Sequence, residues 1–123
     1  MKEEEMKLHD AEYRFACIVW ENEPIGSGEL TKLCEEKMDW KRTTTYTVLK
    51  KLCNKGILKN ENAVVTSLVK KEEVQCYESH QILEKVFDNS LPAFLTAFMS
   101  GKKISKKEAE ELKKLIDEYQ ERE

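Results

Sequence analysis

Between positions 41 and 59 the chain carries six bases, Lys41, Arg42, Lys50, Lys51, Lys55 and Lys59, and no acid. Threonine hydroxyls at Thr43, Thr44 and Thr47 and the phenol of Tyr46 are interleaved with them. The flanking segments carry net charges of −6 (residues 1–40) and −3 (residues 61–123), so a +6 block sits inside an acidic protein of net charge −3. The chemistry such a block can do is recognition of a polyanion. Cations meet phosphates, which positions a protein on nucleic acid and makes its affinity salt-dependent. A threonine hydroxyl can bond phosphate or a base edge, and its methyl can meet the thymine methyl. Tyr46 can stack on a sugar or bond a phosphate, while Lys50, Lys51 and Lys59 suit backbone contact. The expected DNA-binding residues are Lys41, Arg42, Thr43, Thr44, Tyr46, Thr47, Lys50, Lys51 and Lys59.

Covalent or metal chemistry has less to work with. The two histidines are His9 and His80, and the four cysteines, Cys17, Cys34, Cys53 and Cys76, form no Cys-x-x-Cys pair. Cys76 and His80 stand one helical turn apart and could share a metal or pair as nucleophile and base. No further ligand set or oxyanion loop accompanies them, so they are read as ordinary residues. No catalytic residue, metal or cofactor is expected, and the cysteines are expected to be free thiols.

The basic block needs an element to present it. Val48, Leu49, Leu52 and Cys53 recur at helical spacing, which predicts a helix over 41–54 with Gly56 as its C-terminal stop. The remaining positions put the bases and hydroxyls on the opposite face. A helix start with two cations is disfavoured by the helix dipole, so Lys41 and Arg42 serve something other than helix stability. Upstream, Leu8, Ala11, Phe15, Ile18 and Val19 define a helix over 10–21, capped by Asp10. Ile25 to Gly28 is a turn, with Ser27 as N-cap of a helix over 28–37 that turns Leu30, Leu33, Cys34 and Met38 inward. Downstream, Ile57–Lys59 and the β-branched run 63–69 flank a polar turn at 60–62, a β-hairpin pattern. Three helices followed by a hairpin is the order of a winged helix-turn-helix, whose second motif helix enters the major groove.

Beyond Lys70 three short helices follow: one over 71–87, one beginning near Pro92 and stopped by Gly101, and one opened by the Ser105-x-x-Glu108 capping box. Their apolar stripes are too sparse for a core of their own. A second copy is the expected partner, because two-fold dimers are the commonest oligomers and helix-turn-helix proteins bind as such pairs. The expected dimerisation residues are Tyr77, Leu83, Val86, Phe87, Leu91, Phe94, Leu95, Phe98, Leu112, Leu115, Ile116 and Tyr119. The predicted fold is mostly α: a winged helix-turn-helix over 1–69, then a helical dimerisation arm over 70–123. With no apolar run long enough to span a bilayer and no signal-peptide pattern at the charged start, the protein is expected to be cytoplasmic.

Several stretches resemble the penicillinase repressor family: Leu8-His-Asp-Ala-Glu-Tyr13 and Trp20, the run Trp40-Lys-Arg-Thr-Thr-Thr-Tyr-Thr-Val-Leu-Lys-Lys-Leu52, Lys55-Gly-Ile-Leu58, Phe87-Asp-Asn-Ser-Leu91, and Ser105 to Leu112. The resemblance implies a dimeric transcriptional repressor on a pseudo-palindromic operator, with Thr44 and Thr47 at recognition-helix threonines. Tyr46 stands where the family often has arginine, a departure that bears on operator sequence. The resemblance further implies relief by cleavage in the arm, near Ala97-Phe98, triggered by a membrane metalloprotease sensor or its effector. The cysteine-rich C-terminal metal motif of the copper-responsive branch is not matched, since no cysteine follows Cys76. A rival reading keeps the winged helix but docks its basic face on an acidic protein; DNA affinity and its salt slope discriminate the two.

Overall fold

The structure, a computed structural model, describes residues 6–121. Its elements run α1 (Asp10–Asn22), β1 (Ile25–Gly26), α2 (Ser27–Met38), α3 (Arg42–Asn54), β2 (Leu58–Glu61), β3 (Val64–Ser67), α4 (Lys71–Val86), α5 (Leu91–Gly101) and α6 (Lys106–Tyr119). The sequence pattern and this order agree: a mostly helical, winged helix-turn-helix fold followed by further helices. The chain divides into two compact units, one extending to Gln81 and one from Ile82 onward.

In the first unit, α1, α2 and α3 bury Phe15, Val19, Leu30, Cys34 and Leu52 against Ile57, Leu58 and Val65 of the wing. Val74 is also fully buried, so the start of α4 belongs to this core. Two aromatic pairs trim its edges: Phe15 stacks on Trp40 at 5.7 Å, and Tyr13 meets Trp20 edge-on at 5.8 Å. The Trp20 indole N–H donates to the Val69 carbonyl at 3.0 Å, tying the end of α1 to the chain leaving the wing.

Several local details differ from the sequence reading. Ala11 is exposed and Glu12 takes the inward position. The cap of α1 is His9, whose amide donates to the Glu12 carboxylate at 2.9 Å, and not Asp10. Ser27 is already helical and Gly26 is the N-cap, because Ile25–Gly26 is a strand and not a turn. This strand pairs antiparallel with β3, giving the sheet order β1-β3-β2. The wing's strands extend through Asn60 and Glu61, and the turn is the pair Asn62-Ala63. Both carry positive φ, 53° and 60°, which a two-residue hairpin turn of the favoured twist demands.

At the end of α1, Glu23 reaches β3. Its Oε1 accepts from the Ser67 amide at 2.8 Å, and the Ser67 hydroxyl donates to Oε2 at 2.8 Å. Lys70 Nζ stands 3.7 Å from the same carboxylate. Burial pushes the Glu23 carboxyl up, but the Ser67 hydrogen bonds and Lys70 outweigh it and hold it below the ordinary value.

The second unit is built differently. Among its described residues none is buried. Phe87, Phe94 and Phe98 form a ring ladder, with centroids 5.3 and 6.4 Å apart. Ser90 caps α5 through the Ala93 amide and Ser105 caps α6 through the Glu108 amide. Val86, Leu91, Phe98, Met99, Leu115, Ile116 and Tyr119 are all exposed.

Candidate nucleic-acid interface

α3 presents the basic block, and its rotation is set by what it buries. Thr45, Leu49 and Leu52 face the core. At 100° per residue this turns Thr43, Thr47, Lys50 and Asn54 directly outward, spaced i, i+4, i+7 and i+11, and all four are exposed. Lys41, Arg42 and Thr44 are exposed at the N-terminal end, the end whose residues reach base edges when a helix enters the major groove. No acid stands in the first turn. The Thr47 hydroxyl donates to the Thr43 carbonyl at 2.9 Å, which leaves its lone pairs and methyl facing out.

Not every residue expected on this surface is free to act there. The threonine run does not point outward as a whole, since Thr45 is fully buried. Tyr46 is half-buried, its hydroxyl donates to Ser27 Oγ on α2 at 3.3 Å, and the Arg42 guanidinium sits over its ring at 5.6 Å. That lateral placement follows from helix phase, because Tyr46 lies beside Arg42 on the flank turned to α2. Lys51 is drawn to the opposite flank, where its ammonium meets Glu12 Oε2 at 2.7 Å. Lys55 approaches the same carboxylate at 3.6 Å and donates to the Lys7 carbonyl at 3.1 Å. Lys59, on the wing, pairs with Glu61 at 2.7 Å, with both side chains half or more exposed. Such a surface pair is weak and exchanges readily for a phosphate.

Three residues outside the sequence-derived set matter here. Asn54 extends the outward row by one turn and has an amide that can both donate and accept. Glu12 and Glu23 organise the scaffold behind it. Burial pushes the Glu12 carboxyl up; the Lys51 hydrogen bond, the His9 amide and the nearby Lys55 and Lys51 charges prevail and hold it below the ordinary 4.5. A lone acid in an amphipathic helix reads as solvated, and partners so distant in sequence give no local signal.

Elsewhere, Cys76 Sγ and His80 Nε2 are 3.9 Å apart on the exposed side of α4. Among the described residues no group of three or more His, Cys, Asp or Glu could hold a metal. Cys34 is buried and Cys17 and Cys53 are half-buried, all as free thiols. No helix of the described residues is long and apolar enough to cross a membrane.

Of the expected arm residues, Val86, Leu91, Phe98, Leu115, Ile116 and Tyr119 are exposed, and Tyr77, Leu83, Phe87, Phe94, Leu95 and Leu112 are half-buried. Ala97 and Phe98 lie exposed inside α5.

The profile of the penicillinase repressor family matches residues 8–118. A curated relative described as a penicillinase repressor, from Bacillus licheniformis, is 23% identical over 120 residues, and the match covers 94% of each chain.

Proposed function

The chain belongs to the penicillinase repressor family, whose members are transcriptional repressors, and we propose that it acts as a two-fold dimer that lays α3 into successive major grooves of a pseudo-palindromic operator. The observation that carries this reading is the row Thr43, Thr47, Lys50 and Asn54 standing outward on a helix without one acid. Threonine and asparagine supply base contacts, and Lys41, Arg42 and Lys50 supply phosphate contacts. Lys59 joins them from the wing once released from Glu61.

Dimerisation is assigned to the second unit. It exposes large apolar side chains and buries none of its described residues completely, so on its own it lacks the core that would hold α5 and α6. A second copy of the same surface, brought up by a two-fold axis, supplies it.

Relief of repression by cutting Ala97–Phe98 would separate the last turn of α5 and all of α6 from the DNA-binding unit. The bond sits within a regular helix. A protease binds its substrate extended, so α5 must unwind locally before a membrane metalloprotease sensor or its effector could cut there.

Selection of bound duplexes from a random pool tests the proposal. The expected product is an inverted repeat whose half-sites lie one helical turn, or a multiple of it, apart. Thr47→Ala should change the enriched bases, whereas Lys50→Ala should weaken all sequences alike and reduce the salt slope by about one per protomer. Recovery of no enriched sequence, with no salt-dependent binding, would favour an acidic protein as partner of this face.

A further inference from the structure

Glu12 is the one buried carboxylate among the described residues, and its partners are cations of α3 and its C-cap. It accepts from the His9 amide and faces Lys51 at 2.7 Å and Lys55 at 3.6 Å. Resting on the DNA reading above, we propose that Glu12 is a positioning residue that withholds Lys51 and Lys55 from the duplex and thereby limits the sequence-independent part of binding. Lys51 would otherwise join Thr47 and Lys50 on the outward side of α3, one turn beyond Thr47. Its side chain is 52% exposed, so its methylene stem is not locked in the core, and among the described residues the Glu12 carboxylate is the group that holds the ammonium aside.

Phosphate encounter does not undo this arrangement. Pulling Lys51 to a phosphate leaves a buried carboxylate with only the longer Lys55 contact and the His9 amide, and weakening the compensation of a buried charge costs more than a surface pair contributes. Every cation that does reach a phosphate raises affinity for all sequences equally. Holding back two of the six cations of the 41–59 block therefore lowers background binding while leaving the hydroxyl row untouched.

The test is the salt dependence of binding to a random-sequence duplex by full-length protein. Glu12→Gln keeps the shape and removes the charge. The dependence on log salt should steepen by about 0.9 per protomer for Lys51, and by up to about twice that where Lys55 also leaves the Lys7 carbonyl. Adding Lys51→Gln and Lys55→Gln to Glu12→Gln should return the slope to that of the native protein. An unchanged slope in Glu12→Gln protein with native helicity would overturn the proposal. Should Glu12→Gln fail to fold, Lys51→Gln alone, which keeps Lys55 beside the carboxylate, is expected to leave the native slope unchanged; a decrease near one per protomer would overturn it. Native protein with no salt-dependent binding to any duplex would remove the DNA reading itself, and this inference with it.

Discussion

Replacing Thr45 by valine should make the protein more stable without altering its DNA binding. Thr45 sits between two outward threonines yet is 0% exposed, and its hydroxyl has no conventional hydrogen-bond partner among the described residues. Its polar neighbour is the Cys34 thiol, itself buried, with its pKa pushed up by that burial and eased down by the Thr45 hydroxyl. A thiol is a weak partner. An unpaired buried hydroxyl costs about 1–3 kcal/mol, and valine replaces it with a methyl at almost the same helix propensity. After discounting the contact with sulfur, a gain of about 1 kcal/mol remains, or roughly 4–8 °C in Tm for a unit of this size. Thermal and urea unfolding monitored by circular dichroism measure it, with affinity for a selected duplex followed in parallel. A destabilisation of about 1 kcal/mol or more would show that the hydroxyl makes a real bond. A large loss of affinity at unchanged stability would show that α3 is rotated away from the orientation argued above.

Three further outcomes follow from the same structure. Ala63→Gly should stabilise the wing by about 1 kcal/mol, because alanine at φ 60° bears a left-handed penalty that glycine escapes; a lower urea midpoint would contradict this. Glu12 and Glu23 have folded pKa values below the unfolded one, so the unfolded chain binds more protons as both groups titrate, and their stabilisation, complete above about pH 4.5, is lost as pH falls through the folded values. Glu23→Gln should accordingly flatten the acid limb of the stability profile, and an identical limb would refute the assignment. In the proposed dimer a charge at Leu115 would enter the desolvated seam, so Leu115→Asp should shift sedimentation from dimer to monomer; an unchanged dimer would place Leu115 outside the interface.

The parts legible in the sequence were those whose signal is local and periodic. The stripe Leu49-Leu52 fixed the phase of α3, and the acid-free block followed on its other side. The cap at Ser105 and the stop at Gly101 likewise depend on residues a few positions apart. What escaped was set by distant partners. Ile25–Gly26 is a strand only because Val64 and Val65 lie beside it. Glu12 displaces Ala11 from the inward side because Lys51 and Lys55 await it, and Glu23 is drawn to Ser67 across the sheet. Tyr46 and Lys51 belong to a basic, polar run, but helix phase carries them to opposite flanks, where α2 and α1 engage them. Val74 heads the apolar pattern that predicts α4, but that pattern does not say which residues it packs against, and the first unit's core claims it.

The central claim is that the outward row of α3 meets the duplex. Backbone amide chemical shifts of the full-length protein, recorded as a selected operator duplex is added, test it most directly. The largest changes are expected at Thr43, Thr44, Thr47, Lys50 and Asn54, with Tyr46 and Lys51 less affected and α6 unmoved beyond the effect of slower tumbling. Changes confined to the arm, with α3 silent at saturating DNA, would contradict it.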